Sequence, residues 1–327
     1  MGGRYTRRAV LAASTSALTG ATMLGTRADS YFFGIPPLWD RVQLGIVHDA
    51  GTVQTLETLL GYTFPVFGGA YFTFDTTWRR QAAVVAPARG RTLLLAWMPK
   101  SNRSGVLLSD IPKGRYDAHI DQMLVGMRGF GGPVVCRFGY EMNGNWMPWS
   151  QAYPGSPCTT LDFIAAWRYI VSRERRMPGT SNVRWLWCAS GLDLPSPHTG
   201  EVYTLEDYWP GGEWVDLVGC DVYNEPGRWE SFDAVLAEPY QRITALSDSA
   251  FWVAEIGCHE PSSIVRTSKA QWIADMLNSR RFPQLAVVCY FDYDARSKGR
   301  SDWRFNSTAS TFRAVQRIFR DLPAATP

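Results

Sequence analysis

The sequence predicts an α/β fold, a (β/α)8 TIM barrel in a single domain, and three observations carry the prediction. Eight short apolar runs rich in β-branched and aromatic residues recur along the chain, each followed by turn residues. Stretches with helical spacing lie between most of them. A doubly wound open sheet is the alternative, but no G-x-G-x-x-G or phosphate loop follows any run.

In chain order the runs are VQLGIV (42–47), FPVFGG (64–69), TLLLAWM (92–98), PVVCRFG (133–139), VRWLWCA (183–189), VDLVGCDVY (215–223), FWVAEIG (251–257) and AVVCYFD (286–292). Their length and composition suit strands buried on both faces of a parallel sheet. Helical patterns occupy 116–130, 160–176, 231–246 and 269–282, and a last one at 308–322 closes the series. No Pro- or Ser-rich linker and no internal repeat interrupts the pattern, so one domain over 29–327 is expected.

The first 28 residues read differently. RYTRRAVLAASTSALTGATMLGTRA has a basic start, a weakly apolar middle and small residues before a cut after Ala28. Paired Arg7 and Arg8 in TRRAVLA resemble a twin-arginine export signal, which places the mature protein outside the cell or in the envelope of a bacterium. An ordinary secretory signal or an uncleaved anchor is the alternative. Cleavage there removes four arginines and no acid, taking the formal net charge from +3 to −1. The basicity belongs to the signal, so no nucleic-acid partner is implied. No internal window reaches the roughly 18 apolar residues of a membrane span, and a monomer is expected.

Cys136, Cys188, Cys220 and Cys289 fall in strand-like runs and read as small buried hydrophobes. Cys158 and Cys258 lie in loop-like sequence and are the better disulfide candidates. With no C-x-x-C pair and four scattered histidines, no metal or cofactor is expected.

In such a barrel chemistry sits where strands end, on the C-terminal face. The groups there are few: His48 and Asp49 after the first run, Glu141 after the fourth, Asp221 near the end of the sixth, Glu255 in the seventh and Asp292 after the eighth. Glu141 stands in RFGYEMNGNWMPWS (137–150), a mixture of flat aromatic rings, amides and one carboxylate that suits a sugar. Glycosidic hydrolysis needs an acid to protonate the leaving oxygen and a second carboxylate to attack carbon or activate water. Glu141 and Glu255 lie 114 positions apart, but strands four and seven of an eight-stranded barrel face each other across the mouth.

RFGYEMNGNWMPW, YWPGGEWVDLVGCDVYN and FWVAEIG resemble the acid/base, sixth-strand and nucleophile segments of glycoside hydrolase family 26, the β-mannanase family of the retaining-barrel clan. Weaker likenesses in IPKGRYDAHIDQM and DWRFNSTASTFRAV extend the resemblance over most of 42–320. It implies that Glu141 is the acid/base and Glu255 the nucleophile, with Arg137, Asp221 and Tyr223 lining the reacting subsite. It makes Trp146 an aromatic wall of the cleft and Trp97 another; Trp149 reads as packing. Two positions depart from the family pattern: Tyr140 stands where His is frequent, and Cys289-Tyr290-Phe291 stands where Trp is usual. Tyr140 and Tyr290 are therefore expected to shape substrate choice. The expectation is an exported retaining endo-β-glycanase, first on β-1,4-mannan, with mixed-linkage glucan, xylan or an envelope glycan as alternatives. A carbohydrate-binding barrel without catalysis is opposed by the two retained acids. An esterase lacks a G-x-S-x-G elbow.

Overall fold

A computed structural model describes residues 42–101, 106–227 and 229–322. The expected export signal at 1–28, with Arg7 and Arg8, lies outside the described residues. Eight parallel strands close a barrel in sequence order: β1 (Gln43–Val47), β2 (Val66–Thr73), β3 (Thr92–Met98), β4 (Val134–Phe138), β5 (Val183–Ser190), β6 (Leu217–Asn224), β7 (Phe251–Cys258) and β8 (Leu285–Phe291). Pairing of β1 with β8, Gln43 opposite Val287 through Val47 opposite Phe291, completes the ring.

Among the described residues seven α-helices pack outside: α1 (Val53–Leu60), α2 (Ala82–Val85), α3 (Asp117–Gly129), α4 (Thr160–Arg176), α5 (Phe232–Thr244), α6 (Lys269–Asn278) and α7 (Ala309–Arg320). The crossover from β5 to β6 holds only two short 3₁₀ turns, Leu205–Tyr208 and Gly212–Trp214. Sequence chemistry sets the helix starts. Thr159 Oγ1 accepts the Asp162 N–H at 3.1 Å and Asp162 returns a bond to the Thr159 N–H at 3.0 Å, a capping box that opens α4. Arg173, Arg175 and Arg176 in its last turn oppose the negative end of the helix dipole. Ser231, Ser268 and Thr308 cap α5, α6 and α7 more simply, each hydroxyl accepting the backbone N–H three residues on.

The barrel interior is filled. A Cβ on Gly45 would stand 2.5 Å from Cys289 Sγ, so only glycine allows β1 to approach β8 at that level. The buried polar groups Arg137, Glu141, Asp221 and Glu255 gather toward the C-terminal halves of the strands. All six cysteines are buried free thiols, which corrects the expectation for Cys158 and Cys258. Cys258 is the last residue of β7 rather than a loop residue, and its sulfur accepts from Asn224 Nδ2 at 3.4 Å.

Candidate active site

The site is assembled by a kink at the end of β4. Gly139 has φ of +54° and Glu141 +53°, the latter the one non-glycine residue with positive φ among the described residues. That backbone costs about 1–3 kcal/mol. It is held by the Glu141 N–H donating to Cys188 O at 2.9 Å and the Gly144 N–H donating to Glu141 O at 3.0 Å. Asn143 fastens the kinked loop to the end of β5, donating to Ser190 O at 3.0 Å and accepting from the Ser190 N–H at 2.8 Å. The chain then doubles back so that Trp146 Nε1 donates to Glu141 Oε2 at 2.6 Å. Trp146 remains 38% exposed, with ring surface left for a ligand.

Opposite Glu141, β7 presents Glu255. Arg137 of β4 donates through Nη2 to Glu255 Oε1 and through Nη1 to Asp221 Oδ2 at 2.6 Å. Tyr71 Oη donates to Glu255 Oε1 at 2.7 Å, and Tyr223 Oη to Oε2 at 2.6 Å. One carboxylate oxygen from each of Glu141, Asp221 and Glu255 lies within 4.8 Å of the others. Three buried acids thus gather round one buried guanidinium. Burial pushes the Glu141 carboxyl up to about 7, and the charge of Glu255 adds to the rise; the Trp146 hydrogen bond and Arg137 work against it.

Of the residues expected at the site, Arg137, Glu141, Asp221, Tyr223 and Glu255 meet directly. Tyr140 lies beneath them, with Arg137 4.3 Å from its ring centroid and its hydroxyl 3.8 Å from Met98 Sδ. Trp149 is packing: it is 1% exposed, and its Nε1 donates to Tyr140 O. His48 and Asp292 form a pair on the β1–β8 side, Nδ1 to Oδ2 at 2.9 Å. Burial acts to lower the His48 pKa, but the hydrogen bond and charge of Asp292 prevail and raise it.

Two expectations are corrected. Trp97 is no cleft wall: it is 0% exposed, paired in register with Phe72 and Phe138, and packed on Phe74 and His119 outside the barrel. Tyr290 is also fully buried. It stacks on Phe305 at 4.2 Å, and its hydroxyl donates to Trp303 O. Strand alternation puts its neighbour Phe291 on the inner face instead, edge-on to Tyr223 at 5.7 Å. Tyr71 lies in β2 two residues past the apolar run FPVFGG, where no sequence pattern points to it.

The three acids are spaced as cation ligands would be. Arg137, however, already donates to Asp221 and Glu255, so a metal ion would have to displace a paired guanidinium.

The model of glycosyl hydrolase family 26 matches residues 114–282. Endoglucanase H of Acetivibrio thermocellus is 28% identical over 248 residues, 74% of this chain and 26% of that protein. A β-1,3-xylanase of Vibrio sp. is 25% identical over 132 residues, 37% of this chain and 26% of that protein. The chain therefore spans about a quarter of the length of these curated relatives. In fold it is similar to the catalytic domain of a family 26 endo-β-1,4-mannanase from Bacillus sp. JAMB-750. The TM-score is 0.61 at 16% identity, over 88% of this chain and 87% of that one. A family match over more than half the chain, on a closed eight-stranded barrel with paired acids at its mouth, makes this protein a glycoside hydrolase of family 26.

Proposed function

We propose that the protein is an exported retaining endo-β-glycanase, with Glu141 as acid/base and Glu255 as nucleophile. One observation carries the reading: the two carboxyls approach within 4.8 Å, one raised toward neutrality and the other held by three donors. Retaining enzymes keep their carboxyls roughly 5–5.5 Å apart, whereas inverting ones leave roughly 6.5–9.5 Å for water. In the first step a Glu255 oxygen bonds to the anomeric carbon. The glycosidic bond breaks toward the leaving oxygen, which takes the Glu141 proton. In the second, Glu141 takes a proton from water as that water displaces Glu255, restoring both carboxyls. The acid must be protonated to act, so the rate falls as pH rises through about 7.

Arg137, Tyr140, Trp146, Asp221 and Tyr223 are proposed to line the reacting subsite. β-1,4-Mannan is the first substrate, in keeping with the mannanase fold relative. A β-glucan is the second reading, favoured by the endoglucanase match over 74% of this chain. Export is proposed to run through Arg7 and Arg8, with the mature chain starting near Asp29.

The test is a panel of mannan, lichenan and xylan, with proton NMR of the first-formed reducing end, alongside Glu141→Ala supplied with azide. Retained configuration and a glycosyl azide of retained configuration are expected. An inverted anomer, or no turnover on any β-glycan, overturns the proposal.

A further inference from the structure

The hydrogen bonds on Glu255 are unevenly shared between its two oxygens. Among the described residues Oε1 accepts from both Arg137 and Tyr71, while Oε2 accepts from Tyr223 alone. A carboxylate oxygen offers two lone pairs, so the donors fill Oε1 and leave one pair free on Oε2. Tyr71 reaches this place through a bulge in β2. Gly68 pairs with Leu94 and Tyr71 with Ala96, so residues three apart share one face. Gly69, skipped in the register, carries φ of +136°, and a Cβ there would lie 2.2 Å from His48 O. The Tyr71 ring is fixed edge-on to Tyr140 at 6.3 Å, with the Arg137 guanidinium 5.9 Å from its centroid.

We propose that Tyr71 is a positioning residue for the nucleophile: with Arg137 it saturates Oε1, fixes the carboxylate plane and leaves Oε2 as the oxygen that attacks. The inference rests on Glu255 being the nucleophile. Oε2 bonds to the anomeric carbon as the leaving group departs with the bonding electrons, and Tyr71 keeps its proton throughout.

The experiment follows labelling by 2,4-dinitrophenyl 2-deoxy-2-fluoro-β-cellobioside and its mannobiose counterpart. The leaving group needs no proton from Glu141, so labelling reports the attack alone. Peptide mass mapping locates the label. Tyr71→Phe keeps the ring against Arg137 and Tyr140, and first-order labelling constants do not depend on the folded fraction. Tyr71→Phe is expected to label Glu255 at least about tenfold more slowly, as loss of a hydrogen bond to a charged group implies. The loss should appear in the limiting rate of labelling, with the reagent concentration at half-saturation unchanged, because Tyr71 bonds to the carboxylate of the nucleophile. Label on Glu255 in both proteins, at limiting rates within about twofold, overturns the role of Tyr71 while the nucleophile stands. Label elsewhere in the wild type overturns the nucleophile assignment and the inference with it.

Discussion

Arg91 and Arg137 both turn a guanidinium against carboxylates, the first half-buried in the outer layer of the barrel and the second fully buried in its mouth. Arg91 meets a single acid, Glu57, and the pair is otherwise satisfied by backbone: Arg91 donates to Pro87 O and Phe64 O, and Glu57 accepts the Phe64 N–H at 2.9 Å. Arg137 meets Asp221 and Glu255 with Glu141 close by, and its Nε has no partner. One cluster balances charge for charge and ties β3 to α1. The other holds more acid than base, and burial then drives one carboxyl to keep its proton. The balanced pair joins two elements of the fold, whereas the imbalance leaves one buried carboxyl raised to about 7.

Substitutions can separate these two designs. Glu255→Ala should cut turnover by about 10⁴-fold or more, the scale on which removing one member of a catalytic set acts. It should lower the melting temperature only slightly, because Arg137 keeps Asp221 and the relief of repulsion offsets the acceptor that Tyr71 and Tyr223 lose. A large loss of melting temperature would show that the mouth cluster is structural after all. Glu57→Ala should do the reverse. Removing the acid from half-buried Arg91, which keeps Pro87 O and Phe64 O as acceptors, is expected to cost about 1–3 kcal/mol in denaturant unfolding, with turnover of the folded enzyme retained. The smallest effect sharpens the contrast within the mouth. Trp146→Phe removes an N–H that favours ionised Glu141, so the alkaline limb of kcat/KM should rise by about one pH unit or less. A limb that moves down would mean that Trp146 does not act on the acid.

The sequence carried the strands well and the direction of individual side chains poorly. All eight apolar runs became strands, because a parallel sheet covered on both faces is apolar throughout. That Glu141 and Glu255 share the mouth was legible, because an acid within or just after so apolar a run has no place except toward the C-terminal half of its strand. The aromatic residues were not, since facing depends on parity. Tyr290 and Phe291 are adjacent and chemically similar, but alternation sends the first to the helices and the second to the mouth. Trp97 fails for the same reason, being one residue beyond inward-facing Ala96. Tyr71 needed knowledge of the bulge at Gly69, and its only trace in the sequence was the Gly-Gly pair inside FPVFGG. The positive φ of Glu141 had no trace beyond the nearby Gly139.

The cysteines give the second half of the barrel its own clock. Strands β4 to β8 each carry one, at Cys136, Cys188, Cys220, Cys258 and Cys289, while β1 to β3 carry none. Each is sealed in the native state, and Cys136, Cys188, Cys220 and Cys289 are further held as unreactive thiols by burial that raises their pKa. A thiol reagent therefore sees these five positions only when the wall around them opens. The order in which they become labelled records which staves of the barrel part first.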